Sequence, residues 1–121
     1  MSAPRLLVVD DDPYTRIALN AFFTRGGWQV SLAASVAEAI PLLADSPHCL
    51  ILDLNLPDGG GEAVLEEARA RCSETQVVVC SGVDDPGRLA DIGRLTPELM
   101  MAKPIDLAAI YKLREAAETF S

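Results

Sequence analysis

The chain has 121 residues, 10 of them basic and 18 acidic, so its formal net charge is −8. This length predicts a single domain over residues 1–121, and a hydrophobic content of 50% excludes an intrinsically disordered chain. The acidic balance argues against a surface for nucleic acid or anionic membrane, which would need a basic patch. No apolar stretch approaches the ~18 residues of a membrane span. The N-terminus lacks the apolar region of a signal peptide, and we therefore expect a cytoplasmic protein.

The cysteines and the one histidine indicate neither a disulfide framework nor a soft-metal site. Cys49, Cys72 and Cys80 are odd in number and lack the Cys-x-x-Cys spacing. Cys49 and Cys80 lie inside apolar runs, which predicts buried free thiols in a reducing compartment. His48 has no second histidine or paired cysteine to join it as a zinc ligand, and we expect it at the surface.

In chain order, the first elements alternate between strand and helix. Residues 5–10 form the first predicted strand, and a helix follows from Pro13 to about Arg25, capped by Asp11 or Asp12. Residues 28–33 alternate apolar and polar side chains, which predicts a half-exposed strand near an edge. The inward face of the first helix is expected to contain Ala18, Leu19, Phe22 and Phe23.

The second helix should open with a capping box and bend before the next strand. Ser35 and Glu38 have the spacing of that box, and Pro41 is expected to kink the helix. Residues 49–52 are four apolar residues in a row, which predicts a third strand buried on both faces. That strand ends at Asp53, and a loop over residues 54–60 leads to the third helix.

The third helix is amphipathic. Its buried residues are predicted to be Val64, Leu65 and Ala68, and its water-facing residues Glu62, Glu66, Glu67, Arg69 and Arg71.

Two further strands and two helices complete the predicted chain. Residues 76–80 form a fourth buried strand ending at Ser81-Gly82, and Asp84-Asp85-Pro86 begins a short helix with Leu89 and Ile92 inward. Residues 99–102 form a fifth strand ending at Lys103-Pro104. The last helix spans about residues 106–119, capped by Asp106, and its predicted buried residues are Ile110, Leu113, Ala117 and Phe120.

Five strands alternating with five helices predict an α/β fold with helices on both faces of a parallel sheet. Right-handed crossovers leave few topologies, and the flavodoxin-like, doubly wound order 2-1-3-4-5 places the half-exposed second strand at an edge. In this order the first and third strands are neighbours at the switch point. Their carboxyl ends bring Asp10 and Asp11 close to Asp53, while the fourth and fifth strands add Ser81 and Lys103.

These carboxylates predict a magnesium site and phosphoryl-transfer chemistry. Like charges within ~4–6 Å raise each other's pKa unless positive charge lies among them, and Mg²⁺ takes carboxylate oxygens together with water and phosphate oxygens. In this interpretation Asp53 is the nucleophile, and Asp11 and Asp53 bind Mg²⁺, with Asp10 binding directly or through water. Ser81 donates its hydroxyl to a phosphate oxygen, and Lys103 is the counter-ion. Each residue alone also fits an ordinary turn or a solvated surface.

In these motifs the sequence resembles the response-regulator receiver domain, the CheY-like phospho-acceptor module of two-component signalling. The matching stretches are Val8-Val9-Asp10-Asp11-Asp12-Pro13, Leu52-Asp53-Leu54-Asn55-Leu56-Pro57, Ser81-Gly82 and Lys103-Pro104. The resemblance implies that Asp53 accepts a phosphoryl group from the phosphohistidine of a sensor kinase or phosphotransfer protein, or from a small donor. It also implies that the backbone carbonyl of Asn55 binds Mg²⁺ and that Ser81 and Gly82 are the switch residue and its small neighbour. The only catalysis it implies is the chain's own phosphorylation and autodephosphorylation.

The chain departs from the family pattern around its fifth strand. Met100 stands where an aromatic switch residue is usual, and Ile105 stands where Phe is common. Residues 94–98 replace the usual Gly-Ala turn, and Gly87 and Gly93 are expected to interrupt the fourth helix. We hypothesise that phosphorylation occurs while transmission through the fourth helix and fifth strand is altered. Family members also pair through the fourth helix, fifth strand and fifth helix, so a homodimer through this face is a further expectation.

Two alternatives stay open at this point. Asp10-Asp11-Asp12 contains the Asp-x-Asp of haloacid-dehalogenase-like phosphatases, with Asp10 as nucleophile, but this leaves Asp53-Leu54-Asn55 unexplained. The other alternative is a receiver-like scaffold that binds partners without phosphorylation. Titration with Mg²⁺ distinguishes such a scaffold from a receiver that accepts a phosphoryl group, because a degenerate pocket should not bind the ion.

Overall fold

The computed structural model describes residues 3–72, 74–82, 85–110 and 112. Residues 107–110 are helical, and they follow the last strand. The elements before them are, in chain order, β1 (Arg5–Val9), α1 (Pro13–Arg25), β2 (Gln29–Ala33), α2 (Val36–Leu42), a 3-10 turn (Leu43–Asp45), β3 (Cys49–Leu52), β4 (Asn55–Leu56), β5 (Gly59–Gly60), α3 (Glu62–Arg71), β6 (Gln76–Ser81), α4 (Pro86–Gly93) and β7 (Leu99–Ala102).

Five strands form one parallel sheet in the order β2-β1-β3-β6-β7. With the short β4–β5 hairpin set aside, this is the predicted flavodoxin-like order 2-1-3-4-5, which is confirmed. The half-exposed strand β2 lies at an edge, as its alternating pattern predicted. The central strands β1, β3 and β6 are buried almost throughout, because helices cover both faces of the sheet.

The core consists of two apolar layers, one on each face of the sheet. Alternate residues of a strand point to opposite faces, so Leu7 and Val9 of β1 join one layer while Leu6 and Val8 join the other. The first layer packs against α2, α3 and α4, and the second against α1 and the helical residues 107–110. The sheet is therefore fixed from both sides, which holds its strand ends in place.

Side-chain caps confirm four of the predicted helix starts. An N-cap oxygen accepts hydrogen bonds from backbone N–H groups that the first turn leaves unpaired. Ser35 accepts from Glu38 N at 3.1 Å, as in a capping box. The Glu38 carboxylate accepts from the N–H of Ala34, one residue before the N-cap, instead of from Ser35 itself. The other three caps are Asp12, Asp85 and Asp106.

The structure corrects several local predictions. The predicted loop over residues 54–60 contains the antiparallel hairpin β4–β5. Ala18 is exposed, not inward, and Phe22 is only partly buried, so Leu19 and Phe23 form the buried face of α1. The helix α2 passes after Pro41 into a 3-10 turn, and α4 is one continuous helix whose glycines lie near its two ends. The predictions for Leu113, Ala117 and Phe120 lie outside the described residues.

Arg69 was predicted to face water, and this prediction is wrong: its side chain links α3 to the segment before β7. Its guanidinium donates to the carbonyl oxygens of Thr75, Leu95 and Thr96 at 2.7–3.0 Å and to the Glu98 carboxylate at 2.9 Å. Glu98 also accepts from the backbone N–H of Val77. We call Arg69, Glu98 and these carbonyls the Arg69 cluster. The segment 94–98, where the chain departs from the family pattern, is therefore firmly attached to the sheet and α3.

Cys49, Cys80 and His48 occupy the predicted environments, and Cys72, for which no environment was predicted, is buried as well. All three cysteines are free and buried, and burial raises the pKa of Cys49 and of Cys80 to about 12. His48 is exposed directly before β3, and its Nδ1 accepts from the backbone N–H of Arg5 at 2.9 Å. None of the helices in the described part of the chain is both long and apolar enough to cross a lipid bilayer.

Candidate functional site

Three predicted site residues lie directly after strands, where backbone hydrogen bonds hold them. The N–H of Asp10 donates to Ala33 O at 3.1 Å and that of Asp53 to Val9 O at 2.8 Å. The N–H of Lys103 donates to Ser81 O at 3.1 Å. These bonds continue the sheet by one residue at its carboxyl edge, where α/β proteins bind their ligands. The backbone thus brings the predicted carboxylates and the lysine together.

The three carboxylates converge closely enough for one metal ion. Asp10 and Asp53 are only 3% and 5% exposed, while Asp11 is exposed. One carboxylate oxygen from each of the three lies within 4.8 Å of the others. A hard divalent cation such as Mg²⁺ prefers oxygen ligands of this kind, with water completing the coordination. The donor set therefore fits the predicted ion.

Lys103 is the positive charge among these carboxylates. Its Nζ lies 3.0 Å from Asp10 Oδ2 and 3.3 Å from Asp53 Oδ2. Burial acts to lower the pKa of Lys103, but the hydrogen bond to Asp10 and the charges of both aspartates outweigh it and raise the pKa. Lys103 is therefore held in its charged form. We call Asp10, Asp11, Asp53 and Lys103 the acceptor pocket.

Asp53 itself lies in a strained electrostatic environment. Burial raises the pKa of its carboxyl group, with the backbone N–H of Asn55 and the ammonium of Lys103 opposing the rise and Asp10 adding to it. The Asn55 N–H donates to Asp53 Oδ1 at 3.3 Å. Gly61 packs behind the same residue: a Cβ there would lie 2.3 Å from the Asp53 carbonyl oxygen, so only glycine fits. The Asn55 N–H thus holds the carboxylate of Asp53, and the close approach of Gly61 restrains its main chain.

Ser81, Gly82 and Met100 lie on the neighbouring strands. Ser81 is buried at the end of β6, where it pairs in register with Ala102 of β7, and Gly82 is exposed just beyond it. A cavity of about 150 Å³ borders Ser81; its other lining residues are Val79, Leu89, Met100, Met101 and Ala102. Met100 is 37% exposed, so its side chain lies at the rim between this cavity and solvent.

The larger groove, of about 480 Å³, lies at the opposite edge of the sheet and is a poorer candidate site. Arg5, His48 and Arg71 line it, but the guanidinium of Arg5 donates to Ser46 O and that of Arg71 pairs with Glu67. Convergent charge, rather than volume, therefore identifies the acceptor pocket as the candidate site.

The sequence interpretation missed two arginines beside the pocket. Arg16 of α1 donates to the Asp10 carbonyl oxygen at 2.8 Å. Arg88 of α4 donates to Asn55 Oδ1 and to the Leu54 carbonyl oxygen, and it pairs with Glu62, which was predicted to face water. The one available signal was the excess of carboxylates over lysines at the strand ends, which called for further positive charge without indicating which residues supply it.

Asp12 has a local structural role. Its exposed carboxylate accepts from Tyr14 N at 3.0 Å and Thr15 Oγ1 at 2.9 Å, and these hydrogen bonds lower its pKa. The phosphatase alternative requires Asp12 to act beside Asp10, whereas here it caps α1. This capping role argues against the phosphatase alternative.

Comparisons with known proteins identify the family of the chain. The family model described as "Response regulator receiver domain" matches residues 6–115. The Regulator of RpoS from Escherichia coli K12 is 31% identical over 112 residues, which cover 92% of this chain but 33% of that protein. The chain thus spans about a third of that relative's length.

Solved structures show the same fold. A CheY-like receiver domain protein from Methanospirillum hungatei superposes with a TM-score of 0.86 at 20% identity, covering 98% of this chain and 96% of that one. A response regulator from Burkholderia pseudomallei, solved with a phosphorylated aspartic acid, calcium ion and citrate, gives a TM-score of 0.82 at 20% identity, covering 97% of this chain and 74% of that one. Fold, converging strand ends and family model lead to one conclusion: the chain belongs to the response regulator receiver domain family of two-component systems.

Proposed function

We propose that this receiver domain accepts a phosphoryl group on Asp53 in a Mg²⁺-dependent reaction. The observation that carries the proposal is the acceptor pocket: a buried carboxylate follows β3, with two further carboxylates and one ammonium group around it. Such an arrangement is costly for folding, which is the common signature of a functional site. The proposed metal ligands are Asp10, Asp11, Asp53 and the backbone carbonyl of Asn55.

In the proposed reaction, a carboxylate oxygen of Asp53 attacks the phosphorus of the donor. An O–P bond forms as the P–N bond of a phosphohistidine breaks, and the imidazole nitrogen keeps the electron pair and takes up a proton. A Mg²⁺ ion held by the proposed ligands would supply positive charge that stabilises the phosphoryl oxygens. Lys103 pairs with the same oxygens, and Ser81 donates its hydroxyl to one of them. Attack of water on the phosphorus later releases inorganic phosphate and restores the carboxylate.

The proposed donors are a sensor histidine kinase, a phosphotransfer protein or a small acyl phosphate. The reaction is the chain's own, including autodephosphorylation, so we assign no enzymatic turnover of other substrates. A homodimer through α4, β7 and the last helix stays a prediction, because most of that helix lies outside the described residues. Light scattering with and without phosphorylation tests it.

Intact mass is the direct test of the acceptor. Wild-type protein with Mg²⁺ and acetyl phosphate should gain one phosphoryl group, and Asp53→Asn should gain none. Asp12→Asn is the matched control, because its carboxylate caps α1, and it should still be phosphorylated. An adduct that survives Asp53→Asn would revive the phosphatase alternative with Asp10 as nucleophile. Bound Mg²⁺ without an adduct from acetyl phosphate or a phosphohistidine donor would favour the scaffold.

We further propose that the output switch of this domain is atypical. Met100 replaces the usual aromatic residue at the rim of the cavity beside Ser81, and a thioether has no ring or hydroxyl to lock in an inward position. The preceding segment is attached through the Arg69 cluster, which resists displacement. Phosphorylation should therefore change Ser81 and its surroundings more than α4 and β7.

Methyl NMR of [¹³C-methyl]methionine-labelled protein tests this switch. The Met100 methyl signal should shift little on phosphorylation in wild-type protein, with Met101 as the internal comparison. In a Met100→Tyr variant, the Met101 methyl signal should shift more on phosphorylation than in wild type, because a ring can turn into the cavity that Met101 also lines. A large shift of wild-type Met100, together with burial of its methyl group, would contradict the proposal.

A further inference from the structure

Arg88 joins three separate parts of the chain next to the acceptor pocket. Its Nε and Nη2 donate to the two carboxylate oxygens of Glu62 at 2.7 and 2.8 Å, which makes a bidentate ion pair between α4 and α3. Its Nη1 donates to Asn55 Oδ1 at 2.9 Å, and Nη2 also donates to the Leu54 carbonyl oxygen at 2.8 Å. One guanidinium therefore holds the two residues that follow Asp53.

The backbone leaves room for this pair at Gly60. A Cβ at Gly60 would lie 2.6 Å from Glu62 Oε1 and 3.2 Å from Arg88 Nη2. Any larger residue would push the carboxylate and the guanidinium away from the loop. The hairpin β4–β5, the ion pair and the two contacts of Arg88 thus form one packed unit.

This unit is one hydrogen bond away from the phosphoryl acceptor. The Leu54 carbonyl that Arg88 binds also accepts from the N–H of Gly61 at 2.9 Å. The Asn55 whose side chain Arg88 binds donates its own N–H to Asp53 Oδ1. Arg88 therefore restrains Asn55 through the Leu54 carbonyl that precedes it and through its side chain, and the backbone carbonyl of this same residue is the proposed metal ligand.

We propose that Arg88 is a positioning residue of the acceptor pocket: it holds Asn55 so that its N–H stays on Asp53 and its carbonyl stays available to the divalent cation. This inference rests on the proposed function, since it concerns the same metal and acceptor. Groups that orient a metal ligand from outside the coordination shell typically contribute 10–100-fold to metal affinity. Arg88 would do so from α4, an element that supplies no metal ligand itself.

Charge and positioning make opposite predictions for Arg88. Removing a positive charge near an acidic pocket should strengthen cation binding, because the repulsion between like charges falls. Removing a group that orients Asn55 should weaken binding, because the carbonyl ligand is no longer held. The sign of the change in Mg²⁺ affinity therefore separates the two roles.

Arg94, at the opposite end of α4, provides a control that carries the same charge. Its ion pair with Asp91 is 2.9 Å long and exposed, with side-chain exposures of 79% and 68%, and both partners are three residues apart. Arg94→Ala removes the same charge as Arg88→Ala without touching the acceptor loop. Its Mg²⁺ dissociation constant should stay within about twofold of wild type.

The experiment is calorimetric titration of Mg²⁺ into wild type, Arg88→Ala, Arg88→Lys and Arg94→Ala, with acetyl phosphate labelling run in parallel. Arg88→Ala should raise the dissociation constant about tenfold. Arg88→Lys should raise it at least threefold, because an ammonium group lacks the planar fork that reaches Glu62, Leu54 and Asn55 together. At saturating Mg²⁺ the labelling rate should return to within about twofold of wild type, since the defect lies in metal binding.

A double-mutant cycle identifies the route. In an Asn55→Ala background the Asn55 side-chain contact is already lost. Adding Arg88→Ala should therefore raise the Mg²⁺ dissociation constant less than threefold. Full additivity of the two substitutions would overturn the proposal, as would Mg²⁺ binding by Arg88→Ala as tight as in wild type. If Arg88→Ala is unfolded by circular dichroism, a folded Arg88→Lys with wild-type affinity also overturns it. Wild type that neither binds Mg²⁺ nor becomes labelled would overturn the proposed function as well, which distinguishes the two failures.

Discussion

The acceptor pocket and the Arg69 cluster both contain partly buried charges, but they balance them differently. In the Arg69 cluster, one guanidinium is matched by one carboxylate and three carbonyl oxygens. The acceptor pocket places three carboxylates around one ammonium group, and burial raises the pKa of Asp53. The first cluster balances its charges, whereas the second holds an excess of negative charge that, under the proposed function, a cation and a phosphoryl group would use. Buried charge alone does not identify a functional site, but an uncompensated excess of one sign does.

Breaking the Arg69 cluster should have the largest effect on stability. Arg69→Ala leaves Glu98 and three carbonyl oxygens without their donor, and it should lower the free energy of unfolding by about 2–3 kcal/mol. Urea denaturation followed by circular dichroism measures this. The control is Arg71→Ala, whose exposed pair with Glu67 should contribute less than about 0.5 kcal/mol. Equal losses for the two variants would remove the contrast between the clusters.

Magnesium should stabilise the folded chain through the acceptor pocket and not through the Arg69 cluster. At tenfold excess over its dissociation constant, Mg²⁺ should raise the free energy of unfolding by about 1.4 kcal/mol by mass action. Asp11→Asn should lose most of this gain, because Asp11 is a proposed metal ligand and its exposed side chain can be replaced without disturbing the core. Arg69→Ala should keep the full gain. Thermal unfolding with NaCl at matched ionic strength is the measurement, and an equal effect of NaCl would indicate screening rather than binding.

Removing one carboxylate should have opposite signs in the two clusters. Without Mg²⁺, Asp53→Asn should raise the free energy of unfolding at pH 7 by about 1 kcal/mol, because it removes excess charge from the acceptor pocket. Glu98→Gln should instead lower it, because Glu98 balances Arg69. Urea denaturation of both variants in EDTA tests this sign change.

The pH dependence sharpens this prediction. The pKa of Asp53 is raised above 3.8 in the folded chain, so the folded state binds its proton more tightly than the unfolded state does. Stability from this group is therefore present below 3.8 and lost as the pH rises through the raised pKa. The advantage of Asp53→Asn should shrink on acidification over that window. A constant difference from pH 7 down to pH 4 would contradict the raised pKa.

The sheet and most of the pocket were predictable because their signals are local. Runs such as Leu50 to Leu52 are short and apolar on both faces, which is typical of a buried parallel strand, and the residue after each run lies at the carboxyl edge. Strand order then followed from connection rules and from the half-exposed pattern of β2. The prediction that Asp10, Asp53 and Lys103 lie close together therefore required no knowledge of side-chain packing.

The contacts of α3 were not predictable in the same way. Glu62 and Arg69 occupy polar positions of an amphipathic helix, and a pattern of polar positions does not distinguish water from a charged partner 26–29 residues away. Their partners depend on how α4 and the segment before β7 lie against α3. The prediction that Ala18 faces inward was wrong for a related reason. A small side chain fits either face of a helix, so an alanine carries little information about burial.

The pairing of Lys103 with Asp10 joins residues 93 positions apart, and this has a consequence for synthesis of the chain. Contacts between distant residues form late, because the intervening loop must close first. A ribosome-bound chain that ends before β7 contains every carboxylate of the acceptor pocket but not its ammonium group. Under the proposed function, the nascent domain therefore becomes competent for phosphorylation only after β7 and Lys103 have left the ribosome and Lys103 has reached the carboxylates.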